Sequence, residues 1–81
     1  MREFIWIEWN LAKIEAHCLS REEVEFAWHR RRDLRKRIDD HGVTIESAGQ
    51  CPSGRWIKIL WRYNVDRDGE TKVFVITAHN L

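Results

Sequence analysis

The 81-residue sequence predicts a small α+β domain in which two N-terminal helices pack on a three-strand antiparallel meander. Three observations lead there. The second half holds long β-branched and aromatic runs separated by turn residues. The first half holds apolar residues at helical spacing. A sheet with one apolar face also needs a cover, and those helices are the obvious candidate. The length suits a single domain, residues 1–81, with one modest core.

Taken in order, Phe4-Ile5-Trp6-Ile7-Glu8 is short, apolar and β-branched. It reads either as an extra edge strand or as a lead-in packed under the helices. Trp9-Asn10 then starts a helix, with Asn10 as N-cap and Leu11, Ile14 and Cys18 along one face. Ser20-Arg21-Glu22-Glu23 fits a capping box, flanked by Leu19 and Val24 as a hydrophobic staple. A second helix follows from about Arg21, with Val24, Ala27 and Trp28 inward. Its end is open. Leu34 and Ile38 continue an i, i+4 stripe toward Asp40, whereas the bases between Arg30 and Arg37 repel one another, and the helix dipole favours about one further turn.

Asp40-His41-Gly42 reads as a turn and residues 43–48 alternate like a strand. Residues 49–54, ending in Pro52-Ser53-Gly54, connect to the central strand at 55–63. Alternation there puts Arg55, Ile57, Ile59, Trp61 and Tyr63 on a buried face and Trp56, Lys58, Leu60 and Arg62 on the other. A loop over 64–69 leads to a last strand at 71–78.

The chain is 43% hydrophobic and 33% charged, in the range of soluble globular proteins. No apolar run approaches the ~20 residues that span a membrane. Met1-Arg2-Glu3 leads into a short run containing Trp6 and Glu8, unlike a signal peptide, so a cytoplasmic location is expected. Cys18 and Cys51 have no metal-type spacing; free thiols are the default and a disulfide stays open. The net charge of +1 conceals segregation, with six acids against three bases over residues 1–27 and six bases against one acid over 30–37.

Three pieces of the chain resemble the BrnT-type toxins of bacterial toxin–antitoxin systems, which are similar in fold to the RelE/ParE ribonuclease toxins. Trp9-Asn10-x-x-Lys13-Ile14-x-x-His17 matches the start and closing histidine of the family's first helix. His17-Cys18-Leu19-Ser20-Arg21-Glu22-Glu23-Val24 matches a His-Gly-Val-Ser/Thr-x-Glu-Glu-Ala/Val corner. Pro52-Ser53-Gly54-Arg55 before an apolar strand, and the ending Val75-Ile76-Thr77-Ala78, match the sheet. Cys18 stands where the pattern has glycine, a position suited to positive φ. His79 stands where it has arginine, and the basic tail that members carry does not follow. The resemblance implies a divergent RelE-like domain, a metal-independent endoribonuclease activity, and RNA and an antitoxin protein as partners.

Such cleavage needs a base for the 2′-hydroxyl, cations for the phosphorane charge and an acid for the leaving oxygen. The candidates are Arg62, His79, Tyr63 and Arg55. Lys58 and Trp56, with Arg30, Arg31, Arg32, Arg35, Lys36 and Arg37, are candidates for gripping RNA or an acidic partner. The plainer reading makes those charges a solvated surface paired with nearby acids. His17 reads foremost as a structural residue, buried or half-buried against a helix end, and secondarily as lining a site. His29 and His41 complete no metal pattern, so neither metal nor cofactor is expected. Trp6, Trp9, Trp28 and Trp61 are assigned to the core, and Trp56 to the surface. The alternative to a ribonuclease is a non-catalytic protein- or RNA-binding module of the same fold, with the sheet face open to homodimerisation. A small-molecule enzyme is disfavoured, since no glycine-rich phosphate loop, nucleophile elbow or acid pair is present.

Overall fold

Seven elements follow one another in the computed structural model, which describes residues 2–40 and 42–81. They are β1 (Phe4–Ile5), α1 (Glu8–Glu15), α2 (Arg21–His29), β2 (Arg32–Asp39), β3 (Gly42–Gln50), β4 (Trp56–Val65) and β5 (Thr71–Asn80). The strands form one mixed sheet in the order β1-β5-β4-β3-β2, with β1 parallel to β5 and every other pair antiparallel. This corrects the expected three-strand meander. The sheet has five strands, and the arginine-rich segment is a strand, not helix or linker. His41, expected in the turn before β3, lies outside the described residues.

The start of α1 depends on one amide. Asn10 is fully buried and sits inside the helix, not at its cap. Its Oδ1 accepts the Ile7 N–H at 2.7 Å, while Nδ2 donates to the carbonyls of Ile5 and Val75 at 2.9 and 3.0 Å. One side chain thereby joins helix, first strand and last strand. At the other end, Cys18 N–H reaches Glu15 O at 2.9 Å and Leu19 N–H reaches Ile14 O at 3.0 Å, a Schellman closure. Cys18 takes φ of 59° to make it. The Ser20 capping box forms as expected, Glu23 N–H donating to Ser20 Oγ at 3.2 Å and Ser20 N–H to Glu23 Oε1 at 3.0 Å.

Ile57, Ile59 and Trp61 of β4, with Val73, Val75 and Ala78 of β5, meet Ile14, Leu19, Val24, Ala27 and Trp28 from the helices in one core. Helix α2 lies on β3 so closely that a Cβ at Gly49 would stand 2.3 Å from the Ala27 carbonyl oxygen. Trp28 and Trp61 are buried as expected, and Trp6 is half-buried with its Nε1–H donating to Glu25 at 2.7 Å. Trp9 is the exception. It is 49% exposed and stacks on Phe74 with centroids 6.2 Å apart.

Why residues 32–39 extend is a matter of charge and of one acid. Coiled into two helical turns, the six bases between Arg30 and Arg37 would be i, i+3 and i, i+4 neighbours. Extended, they divide between two faces. Asp33 then fixes the strand: its Oδ1 accepts from Ser47 Oγ at 2.6 Å and from Arg31 Nε at 3.0 Å. Leu34 falls at a bulge, where the register skips between Asp33 and Arg35. Leu34 and Ile38 are 52% and 84% exposed, so the stripe that suggested a helix buries neither. Among the described residues no helix is long and apolar enough to cross a membrane.

Candidate nucleic-acid interface

The sheet face turned away from the helices carries most of the chain's interesting chemistry. Residues directly opposite one another share a face, so the register defines rows across it. Arg32 pairs with Ala48, Ala48 with Lys58, and Lys58 with His79. In the next row Arg35 pairs with Glu46, Glu46 with Leu60, and Leu60 with Thr77. Arg37 opposite Thr44, and Arg62 opposite Phe74, extend the same face. The alternation read for β4 therefore holds, with Trp56, Lys58, Leu60 and Arg62 together on the open side.

Two hollows stand at opposite ends of this face. One, of about 460 Å³, is floored by Ala48 and walled by Trp56, Leu34 and the run Arg30, Arg31 and Arg32. The small side chain of Ala48 leaves space beside the indole, which is 52% exposed. The other, of about 430 Å³, is lined by Trp9, Asp39, Thr44, Arg62, Phe74 and Ile76. Here the Arg62 guanidinium lies 5.4 Å over the Phe74 ring. Trp56 and Arg62 are six residues apart on one strand, about 20 Å. The basic rows run between the two.

Glu46 is the acid at the centre of that track. Lys58 Nζ meets its carboxylate at 2.7 Å. That hydrogen bond, followed by the charges of Lys58, Arg35 and Arg37, holds the Glu46 carboxyl below the usual range, against its own desolvation. Arg32, Arg35, Arg37, Lys58 and Arg62 thus share the face with Glu46, and with Asp39 at its margin, leaving it cationic. Lys72, farther along β5, is clamped between Asp66 and Glu3, and the hydrogen bond to Asp66 pushes its ammonium pKa upward.

The four residues proposed for catalysis do not converge. Arg62 and His79 share the open face, but Arg62 lies four positions beyond the Lys58 that His79 faces, about 13 Å along the strand. Tyr63 is on the helix-side face, edge-on to Trp61 at 4.9 Å, with the Arg2 guanidinium 5.1 Å over its ring. Arg55 sits beneath the helix corner, donating through Nη2 to the Cys18 carbonyl at 3.1 Å and to Glu23 at 3.0 Å.

The basic cluster also divides. Arg31 is half-buried, its guanidinium 3.9 Å from the Trp28 ring and 4.7 Å from that of Trp61. Arg30 covers Phe26 at 4.0 Å. Lys36 faces the helix side, opposite Ile45, because the bulge at Leu34 changes the alternation. Arg32, Arg35 and Arg37 remain for the open face. His17 is exposed, not buried, and its ring lies 5.8 Å from that of His79. Trp9, Phe74 and Glu46 enter the face although their sequence context does not mark them. Strand register reveals Phe74 and Glu46, and the stacking on Phe74 reveals Trp9.

Among the described residues no three His, Cys, Asp or Glu side chains gather as metal ligands would. Both cysteines are free, Cys18 at the surface and Cys51 in the core, where burial pushes the thiol pKa up. In comparison with known proteins, no family model, no curated protein and no solved structure matches this chain.

Proposed function

We propose that the open sheet face binds single-stranded RNA. The observation that carries this reading is the arrangement of the face: two aromatic-walled hollows joined by rows of Arg and Lys. Aromatic rings stack bases without regard to sequence, and a cationic groove between them follows the phosphates. The BrnT-like pattern at residues 9–24 and 52–55 supports RNA as the partner, and with it a role as a ribonuclease toxin opposed by an antitoxin. The left-handed backbone at Cys18, where that pattern has glycine, supports it too. Titrating labelled oligoribonucleotide with the protein tests the proposal by fluorescence anisotropy. Saturable binding that weakens as salt rises, and that Trp56→Ala lowers, is expected. No binding at low salt overturns it.

A second reading, a protein-binding module, has its own observation. Ile38, Val43, Tyr63 and Val65 extend along the helix-side face past the helices, and all are exposed, from 43% for Val43 and Tyr63 to 84% for Ile38. A monomeric mass unchanged at high concentration would dispose of self-association through this patch.

A further inference from the structure

The two histidines that close α1 and β5 meet at the rim of the open face, next to its cationic row. We propose that His17 and His79 form the acid–base pair of a metal-independent RNA cleavage centre, with Lys58 as its electrostatic partner. This inference rests on the RNA-binding reading of the same face and assigns residues to the ribonuclease role proposed with it.

The fold itself makes the pair. His17 lies where α1 turns into the corner, and the left-handed Cys18 redirects the chain immediately after it. Two contacts from elsewhere hold that corner. Asn80 Nδ2 donates to the His17 carbonyl at 3.5 Å, and Arg55 Nη2 to the Cys18 carbonyl at 3.1 Å. His79, one residue before Asn80, projects to the opposite face of β5 from the buried Ala78. The rings approach to 5.8 Å between centroids and are inclined by 50°, so they do not stack on each other. His17 is exposed and His79 half-buried, so both rings reach the surface.

Lys58 completes the set. It faces His79 across the β4–β5 ladder, and Glu46 orients its ammonium group through the 2.7 Å contact. An ammonium has three donors, so that bond leaves others free for a phosphate oxygen. Trp56 lies two residues from Lys58 on the same face, about 7 Å along the strand. A base stacked on Trp56 therefore brings its own ribose phosphate to Lys58 and the histidines.

The chemistry balances without metal, oxidant or water. One neutral imidazole takes the proton of the ribose 2′-hydroxyl, and that oxygen attacks the adjacent phosphorus. The P–O5′ bond breaks as the other ring, protonated, gives its proton to the departing 5′ oxygen. The products are a 2′,3′-cyclic phosphate and a 5′-hydroxyl end. Imidazole suits both tasks because it exchanges protons near neutral pH. Lys58 opposes the charge that gathers on the phosphorane oxygens.

The test uses the full chain with a labelled oligoribonucleotide, the same oligomer with 2′-deoxyribose throughout, and chelator present. The wild type is expected to cleave the first and not the second, leaving a cyclic phosphate end. His17→Gln and His79→Gln, prepared identically and assayed at saturating protein, should each lower the cleavage rate by about 100-fold or more, while circular dichroism shows an unchanged fold. Wild type that binds the RNA without cutting it overturns the pair and the ribonuclease role, and leaves the binding reading intact. Absence of both binding and cleavage overturns both. Cleavage at the wild-type rate in either variant, or cleavage of the deoxy oligomer, overturns the assignment of these histidines.

Discussion

The Trp61 indole N–H donates to Ser47 Oγ at 2.9 Å, both side chains fully buried. The Ser47 hydroxyl in turn donates to Asp33 Oδ1 at 2.6 Å, which also accepts from Arg31 Nε at 3.0 Å. Through this chain the charged edge strand β2 is tied to the centre of the core. Ser47→Ala would strand the indole N–H in an apolar setting and remove a partner of Asp33. A loss of about 1–3 kcal/mol is expected, the usual cost of a buried polar group left unpaired. Denaturant unfolding of the variant measures it; an unchanged midpoint would mean that the indole finds another acceptor.

Cys18 makes the opposite kind of prediction. Its φ of 59° suits glycine, and its side chain is exposed, so little packing is lost without it. Cys18→Gly should stabilise the domain by about 1 kcal/mol, the strain of an L-residue in the left-handed region. For a domain this size that raises Tm by roughly 4–8 °C. A lowered Tm would show that the thiol contributes something its exposure conceals.

Acid should loosen the fold in a traceable way. The Glu46 carboxyl is held low chiefly by the hydrogen bond from Lys58, and that of Glu23 chiefly by the Ser20 backbone N–H. A carboxyl with a lowered folded pKa binds fewer protons folded than unfolded. Its stabilisation is therefore complete above the unfolded value of about 4.3 and fades as pH falls through the folded one. The urea midpoint should drop between about pH 5 and pH 3, and Glu46→Gln and Glu23→Gln should each flatten that drop. Equal acid limbs in wild type and both variants would contradict it.

The open face should respond to salt according to its cations. Single-stranded binding weakens with a slope of about −0.7 in log K per log salt for each phosphate neutralised. If Arg35 and Arg37 each hold a phosphate, the double Arg35→Ala, Arg37→Ala change makes the slope shallower by about 1.4. Trp56→Ala should instead cost about 1–3 kcal/mol of binding at every salt concentration. A slope unaffected by the double change would place the RNA elsewhere. Lys36→Ala, on the other face, is the matched control.

What the sequence discloses depends on whether a residue's partner is near in the chain. The capping box at Ser20 and the alternation of β4 are local patterns, and both stand in the structure. So does the exposure of Trp56, which follows from that alternation. The edge strand β2 was hidden twice over. Its bulge at Leu34 breaks period two, and its charge removes the apolar signal that marks a strand. Asn10 looks like a cap because asparagine favours caps, but its amide is claimed by carbonyls of Ile5 and Val75. His17 and His79 are brought together only by the way α1 lies against β5, which no local window records.

The charge on β2 also bears on how the protein behaves in concentrated solution. As the last strand of the sheet, β2 presents backbone donors and acceptors along its outer side, the usual starting point for edge-to-edge aggregation. A second copy docking there antiparallel would set one run of arginines and lysine against another. The same side chains thus act as gatekeepers against that docking. Variants that neutralise them weaken that safeguard, so a fall in solubility should accompany any loss of binding.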